Sequence, residues 1–404
     1  MSMVLPAVSL GVFLGEQYQK IFTRPWPVIP SALILGALNA FLFAYDRPWT
    51  ASDGVRNWGD WLFQITGLVE HSDLLPPHLY SGSVLNLGVL FGGLGAALLS
   101  REFALRAAPW YELVKGAVGG LMMGAGAMAA FGCNIGGFFS ALSALSASGI
   151  AMMAGLALGA FMATRLILWE RTRLISAGKL PFPAACDAPL PAEVASTGCG
   201  KPLAGAAVFS AFVIVGYLYQ SLGYGRQAVF WLFGIAFGVV FQRSRFCLVR
   251  AFREPFLSGE SEHAKAAALG LVLSLVGFSI LKATDLKDPT DWVFPSYWQG
   301  SLLGGAVFGF GMVVAGGCGA GSIWRAGEGH LKLWFAVLFF AIGASLARLL
   351  LVRTELIARL GGRVFLPAEI GWAAAIGCVV TLMISWYLVT EWHEQRRQAG
   401  VLKL

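Results

Sequence analysis

Ten apolar runs, each approaching the length needed to cross a bilayer, are strung along this chain with short polar segments between them. They fall near 29–46, 83–100, 113–131, 149–170, 203–222, 228–242, 263–282, 298–316, 332–352 and 367–390. Crossing a hydrocarbon layer of ~30 Å takes ~20 residues of helix, so the pattern predicts transmembrane helices. The alternating segments of a transmembrane β-barrel are absent from the sequence. The expected fold class is an all-α polytopic membrane protein of about 9–11 membrane helices. A further segment, 56–69, is shorter and more polar. Counting it as a crossing allows an orientation in which the basic loops 101–112, 171–202 and 243–262 and the Arg396–Arg397 tail all face the cytoplasm. That gives a multi-pass protein of a bacterial inner membrane with a cytosolic C-terminus.

Composition excludes the soluble classes. Charged residues make up 13% of the chain, against roughly a quarter in soluble domains. The net charge of +7 does not indicate nucleic acid, because the basic residues sit in short loops between spans, as the positive-inside bias requires. The N-terminal segment, 1–28, contains an apolar stretch from Val4 to Gly15 with no basic start or cleavage site. It is expected to be interfacial or half-membrane.

A repeat organises the chain. Shifted by 185 positions, Cys133 falls on Cys318, and Gly119, Gly120, Gly124, Gly126, Ala130 and Gly132 fall on Gly304, Gly305, Gly309, Gly311, Ala315 and Gly317. The 83–100 run resembles 265–282, and Trp61-Leu62-Phe63 recurs as Trp231-Leu232-Phe233. Two pseudo-symmetric membrane repeats are expected at 29–170 and 203–352, joined by a cytosolic linker at 171–202. A terminal helix and basic tail occupy 353–404. Five membrane elements per half, counting 56–69, would invert the second half, an arrangement associated with transport at the repeat interface.

Three cysteines stand at breaks in apolar runs: Cys133 in FGCNIGG, Cys247 in RSRFCLVRAFRE and Cys318 in GGCGAGSIWRAGEG. Backbone that leaves the helix at membrane depth must be buried in protein or line a cavity. Each break is therefore a candidate short re-entrant helix with a ligand site at its start. The glycines preceding Cys133 and Cys318 are assigned instead to tight helix packing. Cys378 lies inside an apolar run and reads as an inert small hydrophobe; Cys186 and Cys199 lie in the linker with no metal spacing. Arg245 and Arg325 belong to break motifs and suggest a path for a small anion, whereas Arg250 and Arg253 read as topology signals. No nucleotide-binding loop or zinc motif occurs in the sequence, so no cofactor, metal or ATP-driven step is expected. The five histidines are assigned to span edges.

The motifs RSRFCLVRAFRE, GGCGAGSIWRAGEG, SREFALR and GGLMMGAGAMAAFGCNIGG resemble those of the YeeE/YedE family of membrane proteins, from about residue 50 to 352. The resemblance implies a path lined by three cysteines that pass thiosulfate through transient S–H···S and S–H···O contacts. By motif these are Cys247, Cys318 and Cys133. The half carrying the Arg-Phe-Cys motif comes second here, the order of the YedE branch, which is associated with selenium metabolism and TusA-like sulfurtransferase partners. Asn134 stands where thiosulfate-uptake members tend to have serine, and it could donate to substrate or cap the next helix. The expected function is a transporter or channel-like facilitator for a small sulfur anion, foremost thiosulfate. The alternatives are a selenium-compound transporter, a membrane transferase that hands a persulfide to a TusA-like carrier, and a scaffold that recruits such a carrier.

Overall fold

The structure is a computed structural model that describes residues 15–69, 73–176 and 200–399. The readings placed on Val4–Gly15 and on the linker cysteines Cys186 and Cys199 lie essentially outside those residues. After a π-helical turn at Gln19–Thr23, the chain forms α1 (Val28–Tyr45), α2 (Ala51–Ile65), α3 (Ser81–Leu99) and α4 (Trp110–Ala129). There follow α5 (Asn134–Ser143), which begins as π-helix, and α6 (Ala147–Ser176). Beyond the linker come α7 (Gly200–Ser221), α8 (Gly225–Ser244), α9 (Leu248–Leu257), α10 (Glu262–Ala283) and α11 (Gln299–Ala315). The chain closes with α12 (Gly319–Gly327), α13 (Leu331–Arg353), α14 (Leu366–Ile370) and α15 (Trp372–Gln398).

Among the described residues, nine helical spans are long and apolar enough to cross a membrane, or ten if α4 and α5, bent by 42°, are one broken span. All ten predicted runs lie on these spans. The protein is an all-α polytopic membrane protein.

Contacts between helices give their directions. Gly36 of α1 meets Gly270 of α10, and Phe43 stacks on Phe278 further along both, so α1 and α10 run parallel. Gly88 of α3 meets Gly234 of α8 and Gly93 meets Gly238, so this pair is parallel too. By contrast, α4 and α11 cross antiparallel, with Gly126 against Gly304 and Gly119 against Gly311. Other pairings also recur: α4 packs on α13 as α11 packs on α6, and α2 on α13 as α9 on α6. Pairings made within α1–α6 and with α13 thus recur, in element order, among α8–α13 and with α6. The 83–100 and 265–282 runs fall on α3 and α10, and Trp61 and Trp231 on α2 and α8.

The segment 56–69 does not cross. Helix α2 has 15 residues, about 22 Å of helix at ~1.5 Å per residue, which is short of the hydrocarbon thickness. Chain direction explains why. Asp46, at the end of α1, pairs with Arg226 at the start of α8, while Trp49 has turned back inward to pack on Phe237 and Phe241. From there α2 runs outward again: Asn86 donates to the Ala51 carbonyl, and Asn57 donates to that of Leu75. Thus α2 enters and leaves on the face where α1 ends, here called the far face. The face where α1 begins, the N-face, receives the ends of α3, α6, α8 and α15. Arg106, Arg243, Arg250, Arg253 and Arg397 gather there without α2 being counted as a crossing, and α7 supplies the crossing that separates the two sets of helices.

Candidate functional site

Four short helices begin inside the protein, and their starts are the breaks in its apolar runs. Thr50 is the N-cap of α2, Cys133 of α5, Cys247 of α9 and Cys318 of α12. Each break has its own local cause. Arg245 ends α8 in the left-handed region at φ 56°, and Gly316 ends α11 there at φ 81°, a conformation glycine adopts without steric cost. The helices then restart two or three residues later, so their free N–H groups and positive dipole ends face the interior.

The three predicted thiols are all buried and converge around the first turn of α12. A Cβ placed on Gly321 would lie 3.2 Å from the Cys318 Sγ and 3.3 Å from the Cys247 Sγ, and one on Gly319 would lie 3.6 Å from the Cys133 Cβ. The Cys247 and Cys318 thiols thus both border Gly321. Cys318 also accepts from the Gly321 N–H at 3.3 Å. The Cys133 Sγ lies 3.6 Å from the Thr50 hydroxyl, and its N–H donates to the Ser52 Oγ at 3.1 Å. Asn134 is fully buried, and neither amide atom has a hydrogen-bond partner of good geometry; the thiol beside it is that of Cys318. An unpartnered buried amide costs about 1–3 kcal/mol, which a ligand in the site would recover. Cys378 is exposed on α15, away from the thiols.

The two predicted arginines sit by the same ring, and Arg325 also donates to the Gly316 carbonyl at 3.4 Å, two residues before Cys318. Their guanidiniums flank the Trp324 ring, Arg245 at 5.6 Å and Arg325 at 5.2 Å from its centroid. Arg245 is engaged by two carboxylates at the N-face, donating to Glu328 and to Glu102 at 2.8 Å each. Gln242 bridges the same pair, at 3.0 Å to Glu328 and 2.6 Å to Glu102. Arg243 reaches Glu102 at 3.3 Å, and Arg106 meets the His330 Nε2 at 3.1 Å. Three guanidiniums, those of Arg106, Arg243 and Arg245, thus gather around two carboxylates below the thiols. Sequence reasoning missed Glu102, Glu328, Gln242 and Arg106. It also placed His330 and His263 at span edges as interface residues, whereas both are largely buried. Arg250 and Arg253 pair with Glu254 and Glu260, away from this network.

The network's protonation can be read from its surroundings. Burial alone would raise the Glu328 carboxyl, but Arg245, His330 and Gln242 outweigh it and hold the group at about 2. Burial pushes the His330 imidazole below its ordinary 6.5, against the pull of Glu328, and Arg106 adds to the depression. At neutral pH Glu328 is therefore ionised. Both groups have depressed values, so their stabilisation is complete above the unfolded pKa and is lost as pH falls. The melting temperature in detergent is expected to be level from pH 7 to 8 and to fall first below about 6.5 through His330, then below about 4.5 through Glu328. Repeating the titration on His330→Gln should remove the first decline and leave the second.

The apolar helices of this membrane protein are thus broken around a buried cluster of thiols and helix N-termini. A family described as sulphur transport matches residues 12–162 and 243–402. The chain belongs to that family and is a transporter of sulfur compounds. It is 26% identical to the probable transporter YedE of Escherichia coli over 80% of both chains. It is also 41% identical to the thiosulfate transporter TsuA of Spirochaeta thermophila, over 28% of this chain and 34% of that one. With the TsuA of Escherichia coli the identity is 34%, over 28% and 32%.

Proposed function

We propose that the protein passes a small sulfur anion, thiosulfate in the first instance, across the bacterial inner membrane along a path through Cys133, Cys318 and Cys247. The observation that carries this reading is the convergence of four helix N-termini on three buried thiols. Each helix end favours an anion by about 0.3–2 kcal/mol in a partly buried setting. The thiols add S–H donors matched to a soft sulfur acceptor, and Asn134 adds a buried amide in no hydrogen bond of good geometry. Weak donors suit a conduit, because an anion held too firmly would not leave. Arg245 and Arg325 concentrate anions at the N-face end. The regional similarity to thiosulfate transporters supports the substrate.

The helix directions support reading α1–α6 and α8–α13 as inverted repeats, narrower than the halves expected from sequence because α7 stands outside them. The arginines gathered on the N-face support placing it in the cytoplasm together with the C-terminus. Arg353, Arg359 and Arg363 lie towards the far face, so the bias is one of degree. A TusA-like sulfurtransferase would then meet the protein at the N-face.

The test is uptake of labelled thiosulfate into cells lacking other sulfate and thiosulfate importers. Wild type should accumulate label, and Cys133→Ala, Cys247→Ala and Cys318→Ala should each lose at least about tenfold at equal membrane abundance, the size of one lost interaction with an anion. Absence of wild-type uptake would refute thiosulfate as substrate. Uptake indifferent to all three changes would end the thiol path.

A further inference from the structure

The repeat pairs every element of the site with a counterpart. Cys133 at the start of α5 corresponds to Cys318 at the start of α12, and α2 corresponds to α9. The counterpart of Cys247 is therefore Thr50, the N-cap of α2. A second feature fixes the match. Gly321, three residues after Cys318, lies close against the Cys318 and Cys247 thiols, and Gly136, three residues after Cys133, lies against Thr50 so closely that a Cβ would overlap the hydroxyl.

Threonine at an N-cap ordinarily spends its hydroxyl on the helix's own free N–H groups. Thr50 makes no such bond. Its Oγ1 lies instead 3.6 Å from the Cys133 Sγ and 2.9 Å from the Ser52 Oγ, with the residue only 5% exposed. Beside Cys133 in the chain stands Asn134, fully buried, its amide next to the Cys318 thiol and in no hydrogen bond of good geometry. The four stations are thus chemically unequal. The two helices that run to the N-face start with thiols that both border Gly321. The two that run to the far face start with a hydroxyl beside a thiol, followed by an amide.

We infer that Thr50 is a fourth station of the path, one that donates O–H to the oxygen end of the anion while Cys247 and Cys318 face its sulfur end. A hydroxyl is a stronger, harder donor than a thiol, and oxyanion oxygens are the harder acceptors. The site so built takes an anion with distinct ends, a soft terminal chalcogen and a cluster of oxygens. It disfavours a symmetric oxyanion, which leaves the thiols with poor partners, and a bare hydrosulfide, which leaves Thr50 and Asn134 unsatisfied. This assignment rests on the transport reading above and extends it to how the substrate is oriented.

The experiment compares labelled thiosulfate uptake by wild type, Thr50→Val, Thr50→Ser and Cys133→Ala in the same importer-deficient cells. Membrane abundance and melting temperature are measured for each. Thr50→Val keeps the shape and loses the donor; a fall of at least about tenfold with unchanged abundance and melting temperature is expected, as for one lost hydrogen bond to an anion. Thr50→Ser restores the hydroxyl and should stay within about threefold of wild type, the usual context spread of a single hydrogen bond. Uptake by Thr50→Val at the wild-type level while Cys133→Ala collapses would overturn the inference and leave the thiol path standing. Equal loss in Thr50→Ser and Thr50→Val would assign Thr50 a packing role and overturn it as well. Wild-type cells that accumulate no label would refute the thiosulfate reading, and this inference with it.

Discussion

Replacing Gly304 with valine is expected to leave little folded protein in the membrane, and what remains should not transport. A Cβ at Gly304 would sit 2.6 Å from the Gly126 carbonyl oxygen and 2.7 Å from the Ala130 nitrogen. Reciprocally, a Cβ at Gly126 would sit 2.5 Å from the Gly304 oxygen. These obstacles are backbone, which cannot rotate aside, so α4 and α11 would have to separate. The same two helices pack outward through glycines, Gly120 and Gly124 on α13 and Gly305 and Gly309 on α6, so neither can retreat without a second clash. Overpacking in a well-filled core typically costs about 1–3 kcal/mol, and a doubly pinned crossing belongs at the upper end or beyond. Because α4 and α11 lead directly into Cys133 and Cys318, spreading them also separates the thiols. Gly304→Ala and Gly304→Val should form a graded series in detergent melting temperature and in surviving uptake. A valine variant as stable as wild type would show that the crossing can open.

Glu328→Ala should cost nearly as much, through charge. The carboxylate is fully buried beside Arg245, Gln242 and His330. Its removal leaves guanidiniums facing one another with Glu102 as the remaining counter-charge. Breaking a buried pair by removing one partner typically costs about 3–5 kcal/mol. The lower end applies here, since Arg245 is 34% exposed and water screens part of the charge. Glu328→Gln, which keeps hydrogen-bonding capacity without the charge, should fall between wild type and alanine. The same variants probe transport, because Arg245 freed from Glu328 would be left to hold an anion at the N-face mouth. Uptake in Glu328→Gln is expected to show a lower KM and a lower maximal rate. An unchanged KM would exclude Arg245 from the path.

The membrane class was legible because each span must satisfy its backbone within itself and present apolar atoms to lipid, a demand written locally in sequence. The three cysteine breaks were legible for a related reason: glycine and polar residues interrupting an apolar run are costly unless the backbone there is enclosed. Thr50 escaped notice because its break lies between a full span and a short amphipathic helix, where a polar residue looks like an ordinary loop. Whether 56–69 crosses was open in the sequence, since length alone does not say whether a chain turns back. That is set by Trp49 packing inward on α8.

Sequence by itself determined the helical membrane fold, the short helices at the cysteine breaks and the glycine stripes, all of which follow from nearest neighbours in the chain and the solvent around them. The tertiary structure alone decided which breaks meet, that α2 is a half-span, and that Arg245 answers to Glu102 and Glu328. Those outcomes depend on helix directions and on contacts between residues far apart in the chain. A charge or a thiol acquires its role only when the fold chooses its neighbours.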